Sequence, residues 1–188
     1  MVIADVSGHS VGAALIMVET RSVLRAQVHA SNSTREILTR LNELLYDDLS
    51  RAELFITMFY LKYNDVNRQL SYSSAGHNQP ILYRSSTASC VQLDAEGLIL
   101  GVKEEVEFEE KSITLQAGDV LLLYTDGVTE AANSEGDMFG MERLCQLVVE
   151  RHTEPADAIL AAIYREVSLF ADASSLADDI STVVMKLV

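Results

Sequence analysis

Three acidic residues stand at distant points of the chain, each beside a segment with the character of a strand. They are Asp5, Asp126 and Asp178, the last being the first residue of an Asp-Asp pair. Carboxylates at the ends of strands can converge in space, and converging carboxylates repel one another unless a cation lies between them. Oxygen ligands of this kind suit Mg²⁺ or Mn²⁺ rather than Zn²⁺. The pattern therefore predicts a hydrolase built around hard divalent cations.

Each of these residues also has an ordinary structural interpretation. Asp5 alone could be a turn residue or the N-cap of a following helix, and Asp126 before Gly127 is more often part of a hairpin turn. Asp178 and Asp179 alone would more often cap a turn. Taken singly, these interpretations are favoured, and only the joint occurrence of the three with the Tyr-Thr-Asp-Gly sequence that contains Asp126 favours a site.

Composition and charge limit the classes of function. A chain of 188 residues suits a single domain, residues 1–188, and is long enough to bury a core. The formal net charge of −14 argues against nucleic acid as the main partner and against anionic membrane surfaces. No apolar run approaches the length of a membrane span, and no signal peptide is visible. Cys90 and Cys145 lack metal-ligand spacing, which predicts free, buried thiols in a reducing cytosol.

Hydrophobic periodicity predicts two helices early in the chain and two late in the chain, with strands before, between and after these pairs. The predicted helices span residues 11–29, 33–49, 141–150 and 156–170. The predicted strands span residues 1–6, 55–63, 69–74, 80–84, 90–93, 106–115, 120–125 and 180–188. Ser33 and Glu36 form a capping-box pair at the start of the second helix. Its core-facing stripe is predicted to consist of Ile37, Leu38, Leu41, Leu44, Leu45 and Leu49.

The order of these elements predicts the fold class. Two early helices, a central run of strands joined by short turns, two late helices and a last strand are typical of an α+β protein. Short hairpin connections favour antiparallel sheets.

Four short motifs follow one another along the chain. In order they are Asp5-Val6-Ser7-Gly8-His9 with Ala13-Ala14; Ser74-Ala75-Gly76-His77-Asn78-Gln79-Pro80; Ala117-Gly118-Asp119 followed by Tyr124-Thr125-Asp126-Gly127-Val128-Thr129-Glu130-Ala131; and Phe139-Gly140 followed by Asp178-Asp179-Ile180-Ser181. One such motif is weak evidence because Asp-Gly turns are common, but four in order are specific. Together they resemble the metal-dependent serine/threonine phosphatases of the protein phosphatase 2C superfamily. The resemblance is to the bacterial branch of the stage II sporulation phosphatase and the stress-response sigma-factor regulators, and it covers nearly the whole chain.

The resemblance implies roles for individual residues. Asp5 corresponds to a carboxylate that bridges two metal ions, with the Val6 carbonyl as a neighbouring ligand. Asp126 and Asp178 correspond to further metal-binding carboxylates, and the three carboxylates form the expected catalytic set. The implied cofactor is Mn²⁺ or Mg²⁺, with two ions expected in the complete domain. Asp179 would cap the turn or hold a water molecule beside the metals.

The resemblance also implies a fold and points to a departure from the family pattern. The implied fold is a β-sandwich of two antiparallel sheets flanked by α-helices. The family carries an upstream strand with a Gly-Gly-Asp-type motif that supplies another metal carboxylate, and this chain starts after it. We therefore expect a domain that lacks its N-terminal strand or strands and is a poor phosphatase as it stands. The sheet edge left exposed could pair two copies into a homodimer.

Histidines are assigned no catalytic role. Animal relatives carry a histidine two residues after the bridging aspartate, but Ser7 has that spacing here and His9 lies four residues on. His77 is interpreted as a structural turn residue rather than a ligand. Ser10 stands where the branch usually has glycine, a change expected to stiffen the turn without removing a ligand.

The functional hypothesis is a metal-dependent phosphatase that removes phosphate from serine or threonine on a bacterial signalling protein through a metal-activated water. By analogy with the family, the substrate would be a phosphorylated anti-sigma-factor antagonist, an upstream sensor or receiver domain is expected, and the protein would be cytoplasmic. One alternative is a weak or inactive phosphatase-fold module for protein binding or sensing, and another is a hydrolase of small phosphoesters. Residues 11–49, which follow Asp5, are predicted to form a regulatory element beside the site.

Overall fold

A computed structural model describes residues 1–29, 31, 33–171 and 179–188. The elements in chain order are β1 (Val2–Val6), α1 (Val11–Gln27), α2 (Thr34–Ala52), β2 (Ile56–Asn64), β3 (Gln69–Ala75), β4 (Ile81–Arg84), β5 (Ser89–Gln92), β6 (Lys111–Thr114), β7 (Val120–Tyr124), α3 (Asp126–Thr129), α4 (Gly140–Arg151), α5 (Ala156–Phe170) and β8 (Thr182–Lys186). These elements belong to two compact units, each made of two stretches of chain. The first unit contains Met1–His77 and Asp94–Thr114, and the second contains Asn78–Leu93 and Leu115–Val188.

Each unit contains one antiparallel four-stranded sheet. In the first unit the strand order is β1-β2-β3-β6, and in the second it is β5-β4-β7-β8. Every pairing between neighbouring strands is antiparallel. The predicted α+β class and the predicted antiparallel sheets are therefore confirmed.

The core of the first unit forms where α1 and α2 pack on their sheet. Ser33 begins α2 as its N-cap, because its hydroxyl accepts a hydrogen bond from the Glu36 amide. The predicted apolar stripe of α2 is buried against β2 and β3, with the exception of Leu44, which is 53% exposed. Leu44 was thus wrongly placed in the core: the buried face of α2 is narrower than the run of leucines suggests.

The core of the second unit lies between its sheet and the helices α4 and α5. All five residues of β7 are buried, and the strand lies inside the sheet between β4 and β8. On α5 the spacing of Ile159, Ile163 and Val167 places one apolar face against the core. The C-terminal end of β7, which Asp126 follows, is therefore anchored in the core of this unit.

The predicted strand over residues 106–115 is wrong in its first half, because the strand β6 covers only Lys111–Thr114. Upstream of it, Phe108 is buried in the core of the first unit, the Glu109 amide donates to the Glu96 carbonyl, and the Glu110 carboxylate binds the start of α2. These long-range contacts, rather than a neighbouring strand, fix the segment.

Within the described ranges, none of the helices combines the length and the apolar character needed to cross a membrane.

Candidate functional site

Asp5 lies near the end of β1, directly opposite Thr57 of β2, and is exposed. Two hydrogen bonds of 2.9 Å close the turn that follows: the Ser7 amide donates to the Phe55 carbonyl, and the Ser7 hydroxyl accepts from the Phe55 amide. Gly8 then takes a φ of +85°, a conformation that favours glycine. The strand pairing and the turn together fix the backbone that carries Asp5 and Val6.

A buried histidine supports the strand opposite Asp5. The Nδ1 atom of His77 lies 2.8 Å from the hydroxyl oxygen of Thr57, and the His77 side chain is buried. Gly76 places the imidazole there: its φ is +68°, and a Cβ at this position would approach the side chain of Ile99 to 2.5 Å. This arrangement agrees with the interpretation of His77 as a structural residue, and it explains why glycine precedes it.

Ser10 and His9 also occupy positions that suit structural roles. Ser10 is the N-cap of α1, because its hydroxyl accepts a hydrogen bond of 3.1 Å from the Ala13 amide. Since glycine has no side chain to make this bond, Ser10 anchors the start of α1 directly. His9 is exposed in the turn between β1 and α1.

Asp126 is the first residue of the short helix α3, immediately after β7. Its carboxylate accepts a hydrogen bond of 2.9 Å from the Gly127 amide, and its carbonyl accepts one of 2.8 Å from the Glu130 amide. The side chain is half-buried, whereas Gly127 and Val128 are buried. Asp126 therefore starts a helical turn rather than a hairpin, and its carboxylate is held at the surface of the second unit.

Thr125 links this helical turn to the segment that leads into β8. Its buried hydroxyl donates to the Asp179 carbonyl and accepts from the Ser181 amide, each at 3.0 Å, and the Thr125 amide donates to the Ser181 carbonyl at the same distance. Asp179 is exposed. Asp178 lies outside the described residues, but it directly precedes Asp179 in the sequence. The sequence motif assigned no role to Thr125. These hydrogen bonds show that it holds the start of α3 to the segment that leads into β8.

The aspartate of the Ala-Gly-Asp motif has a structural function within the second unit. Asp119 is fully buried, and its carboxylate accepts hydrogen bonds from the Arg84 guanidinium at 2.9 Å, the Gln116 amide at 2.9 Å, and both the amide and the hydroxyl of Ser85. Burial alone would raise the pKa of Asp119, but these hydrogen bonds outweigh it, so the pKa lies below its usual range. Asp119 thus joins the β4–β5 turn to the start of β7.

The donor atoms at the predicted site positions fit a hard divalent cation. Asp5 and Asp126 offer carboxylate oxygens that are exposed or half-exposed at strand ends, and Val6 adds a carbonyl oxygen beside Asp5. Oxygen donors of this kind suit Mg²⁺ or Mn²⁺. Among the described residues, no three His, Cys, Asp or Glu side chains form a metal-binding group. The assignment of Asp5, Val6, Asp126 and Asp178 as ligands stays a prediction.

Comparison with known proteins gives the family. The family model of stage II sporulation protein E (SpoIIE) matches residues 1–188. Phosphoserine phosphatase RsbU of Bacillus subtilis is 30% identical over 98% of the chain, which spans 54% of that relative's length.

Solved structures share the fold. The RsbU and RsbW domains of Rv1364c from Mycobacterium tuberculosis align with a TM-score of 0.81 at 25% identity, covering 98% of this chain and 50% of theirs. The SiaA-PP2C domain of Pseudomonas aeruginosa aligns with a TM-score of 0.86 at 18% identity, covering 99% and 74%. The fold is therefore that of the PP2C-type domains, and the chain belongs to the SpoIIE family.

Proposed function

We propose that this chain is a metal-dependent protein phosphatase that hydrolyses phosphoserine or phosphothreonine on a signalling protein. The observation that carries the proposal is the match of the SpoIIE family model to the whole chain, with a phosphoserine phosphatase as a 30% identical relative. The exposed and half-exposed carboxylates of Asp5 and Asp126 at strand ends support it.

In this proposal Asp5, the Val6 carbonyl, Asp126 and Asp178 hold Mn²⁺ or Mg²⁺. Such ions, when bound, would lower the pKa of a water molecule and neutralise the oxygens of a phosphoryl group. Two proteins with this fold support the choice of metal: RsbX is known in complex with magnesium, and the phosphatase domain of SpoIIE is known after presoaking with manganese.

The chain's own residues would act by positioning. The β1–β2 pairing and the Ser7 turn fix the backbone at Asp5, and Thr125 fixes the backbone between Asp126 and the segment at Asp179. Rigid placement matters because metal-assisted displacement is sensitive to small errors in ligand position. The function needs no nucleophilic side chain, so Cys90 and Cys145 have no part in it.

The proposed substrate is a phosphorylated signalling protein such as an anti-sigma-factor antagonist. A formal charge of −14 favours a protein over a nucleic acid as the partner. An upstream sensor or receiver domain, a homodimer and a cytoplasmic location stay predictions of the same hypothesis.

The test is hydrolysis of a phosphoserine peptide with Mn²⁺ present, comparing the unchanged chain with Asp126→Asn. The matched control is Asp65→Asn, which alters an exposed aspartate in the turn between β2 and β3. Turnover by the unchanged chain and by Asp65→Asn, with a loss of at least about 100-fold in Asp126→Asn, would support the proposal. Equal turnover by all three proteins would contradict the assignment of Asp126.

The same experiment addresses the alternative of a binding module. Binding of the phosphopeptide is measured by calorimetry beside turnover. Because the chain as it stands is expected to be a poor phosphatase, a chain extended upstream is measured as well. An extended chain that binds the phosphopeptide but releases no phosphate at any Mn²⁺ concentration would favour the module for binding or sensing over the enzyme.

A further inference from the structure

The two cysteines of the chain are neighbours in the second unit, although they lie 55 positions apart in the sequence. Cys90 belongs to β5 and Cys145 to α4. The Sγ atom of Cys90 lies 3.7 Å from the Cys145 carbonyl oxygen, and the two thiols are close enough to influence each other's ionisation. The sequence predicted two free, buried thiols; both are free, but they are only half-buried, and they are neighbours.

We propose that Cys90 and Cys145 are a redox modification site, at which a hydroperoxide converts the two thiols into an intramolecular disulfide. Both side chains are half-buried and pack at the edge of the core cluster of the second unit. Partial exposure allows a small oxidant to reach them, and the distance of 3.7 Å from the Cys90 Sγ atom to the Cys145 carbonyl oxygen brings the two residues within reach of each other.

The surroundings of the two thiols give them different roles. The hydrogen bond with Cys90 lowers the pKa of Cys145 to about 7, although burial acts in the opposite direction. The same hydrogen bond, together with burial, raises the pKa of Cys90. Because the thiolate is the form that attacks peroxide, the lowered pKa favours Cys145 as the thiol that reacts first and Cys90 as the resolving thiol.

The reaction balances in two steps. The Cys145 thiolate attacks one oxygen of the hydroperoxide, the O–O bond breaks, and Cys145 becomes a sulfenic acid while the other oxygen leaves as alkoxide or hydroxide and takes up a proton. The Cys90 sulfur then attacks the Cys145 sulfur, its proton is lost and water departs. The dithiol has lost two electrons and two protons, and the hydroperoxide has been reduced to water and an alcohol, or to two waters.

The disulfide would join an edge strand to a helix. β5 is at one edge of the second sheet, and Met141, one turn before Cys145 on α4, accepts a hydrogen bond from the Tyr124 hydroxyl at 3.7 Å. A bridge at Cys145 would therefore hold β5 to the same helix that supports the end of β7. Closing a loop of this length in the unfolded chain should raise the unfolding midpoint by roughly 5 °C or more.

The test uses the reduced chain treated with equimolar hydrogen peroxide, with Cys90→Ser and Cys145→Ser as single variants. In the unchanged chain we expect the loss of both free thiols, a monomer whose tryptic map contains the Cys90–Cys145 disulfide, a raised unfolding midpoint, and reversal of all three by dithiothreitol. Cys90→Ser should stop at a sulfenic acid that dimedone traps, and Cys145→Ser should react at least about 10-fold more slowly.

Several results would overturn the proposal. These are disulfides only between separate chains, over-oxidation of Cys145 in the unchanged chain without a bridge, or equal peroxide reactivity of the two single variants. The thiol assay and the peptide map of the unchanged chain do not depend on how well the variants fold. The readouts are also independent of phosphatase activity, so this proposal and the proposed function can fail separately.

Discussion

The buried hydroxyl of Thr125 donates a hydrogen bond of 3.0 Å to the carbonyl oxygen of Asp179. Thr125 directly precedes Asp126, and Asp179 directly follows Asp178. One hydroxyl thus links the two stretches of chain that carry these proposed metal ligands.

Replacing Thr125 by valine keeps the shape of the side chain but removes this hydroxyl. The Ser181 amide and the Asp179 carbonyl would each lose a partner in a buried place, so we expect a stability loss of about 1–3 kcal/mol. If the link positions the metal ligands, phosphatase activity should fall by more than the stability loss explains. Urea unfolding and peptide hydrolysis below the unfolding transition measure the two effects.

Thr125→Ser is the control for this prediction, because it keeps the hydroxyl and removes only a methyl group. Its activity should stay near that of the unchanged chain. If Thr125→Val keeps full turnover and full Mn²⁺ affinity, the hydroxyl does not position the site.

Divalent metal should bind the folded chain through Asp126. Calorimetric titration with Mn²⁺ is expected to show an affinity at least about 10-fold weaker in Asp126→Asn than in the unchanged chain, since asparagine lacks the ligand's negative charge. Because the metal would bind only the folded state, Mn²⁺ should also raise the unfolding midpoint of the unchanged chain. The control Asp65→Asn should behave like the unchanged chain, and identical titrations for all three proteins would remove Asp126 from the ligand set.

The buried Asp119 should make stability depend on pH in the acidic range. Its folded pKa is depressed, so its contribution is present above the unfolded value of about 3.9 and is lost as the pH falls through the folded value. Asp119→Asn should cost about 3 kcal/mol at pH 7, because the Arg84 guanidinium and two backbone amides lose a charged acceptor. Urea unfolding of both proteins from pH 7 to pH 3 measures the difference.

The difference between the unchanged chain and Asp119→Asn should be constant from pH 7 to about pH 5 and shrink below about pH 4. Arg84→Met serves as a comparison, because it leaves the amides of Ser85 and Gln116 bonded to Asp119. It should lower the free energy of unfolding by less than Asp119→Asn does. A difference that stays constant down to pH 3 would mean that folding does not lower the pKa of Asp119.

The contact between Glu110 and the start of α2 should stabilise that helix modestly. The Glu110 carboxylate accepts hydrogen bonds from the hydroxyls of Ser33 and Thr34 and from the Arg35 amide, at 2.7, 2.9 and 3.1 Å. Burial opposes ionisation, but these bonds lower the pKa of Glu110, and a negative charge is favourable at a helix N-terminus. Since Glu110 is exposed, we expect Glu110→Gln to cost only about 0.5 kcal/mol at pH 7.

Urea unfolding measures this loss, and the control is Glu107→Gln, an exposed glutamate in the same segment. The contribution of Glu110 should be present above the unfolded pKa of about 4.3 and disappear as the pH falls below it. An equal effect of the two substitutions would show that the bonds to α2 add nothing.

Local patterns predicted the elements, whereas contacts between distant residues decided the exceptions. The spacing of Leu41, Leu45 and Leu49 predicted the buried face of α2, because helical periodicity is a property of neighbouring residues. The alternation over residues 106–110 predicted a strand that does not form, because Glu110 bonds to residues 75–77 positions earlier in the chain. The four-residue helix that begins at Asp126 is too short to show a period.

The candidate site could be predicted only in part for the same reason. Asp5 and Asp126 were found because their residue types and motifs are visible locally, and their role as ligands stays a prediction. The link from Thr125 to Asp179 spans 54 positions, and that between Cys90 and Cys145 spans 55, so no local pattern could indicate either. Motifs show which residues take part, but the long-range contacts that position them require the fold.

The helices α1 and α2 should open more readily than the β2–β3 hairpin, as expected of a regulatory element. Only Ala13, Ile16, Thr20 and Leu24 of α1 are buried, whereas its opposite face exposes the apolar residues Val11, Leu15 and Val18. A helix with so little buried surface is weakly held, because helical stability in proteins comes mainly from tertiary packing. The N-cap of α1, Ser10, lies five positions after Asp5 in the sequence. A movement of α1 would therefore shift the position of the Asp5 carboxylate.

Hydrogen exchange followed by mass spectrometry measures this prediction. Amides of α1 should exchange at least about 10-fold faster than those of β2 and β3, with α2 between them because its seven buried residues hold it more firmly. Addition of Mn²⁺ should slow exchange in α1 if its start is coupled to a metal at Asp5, and Asp65→Asn should preserve this response. Equal protection of α1 and the hairpin, with no response to Mn²⁺, would mean that these helices are a fixed part of the fold and not a switch.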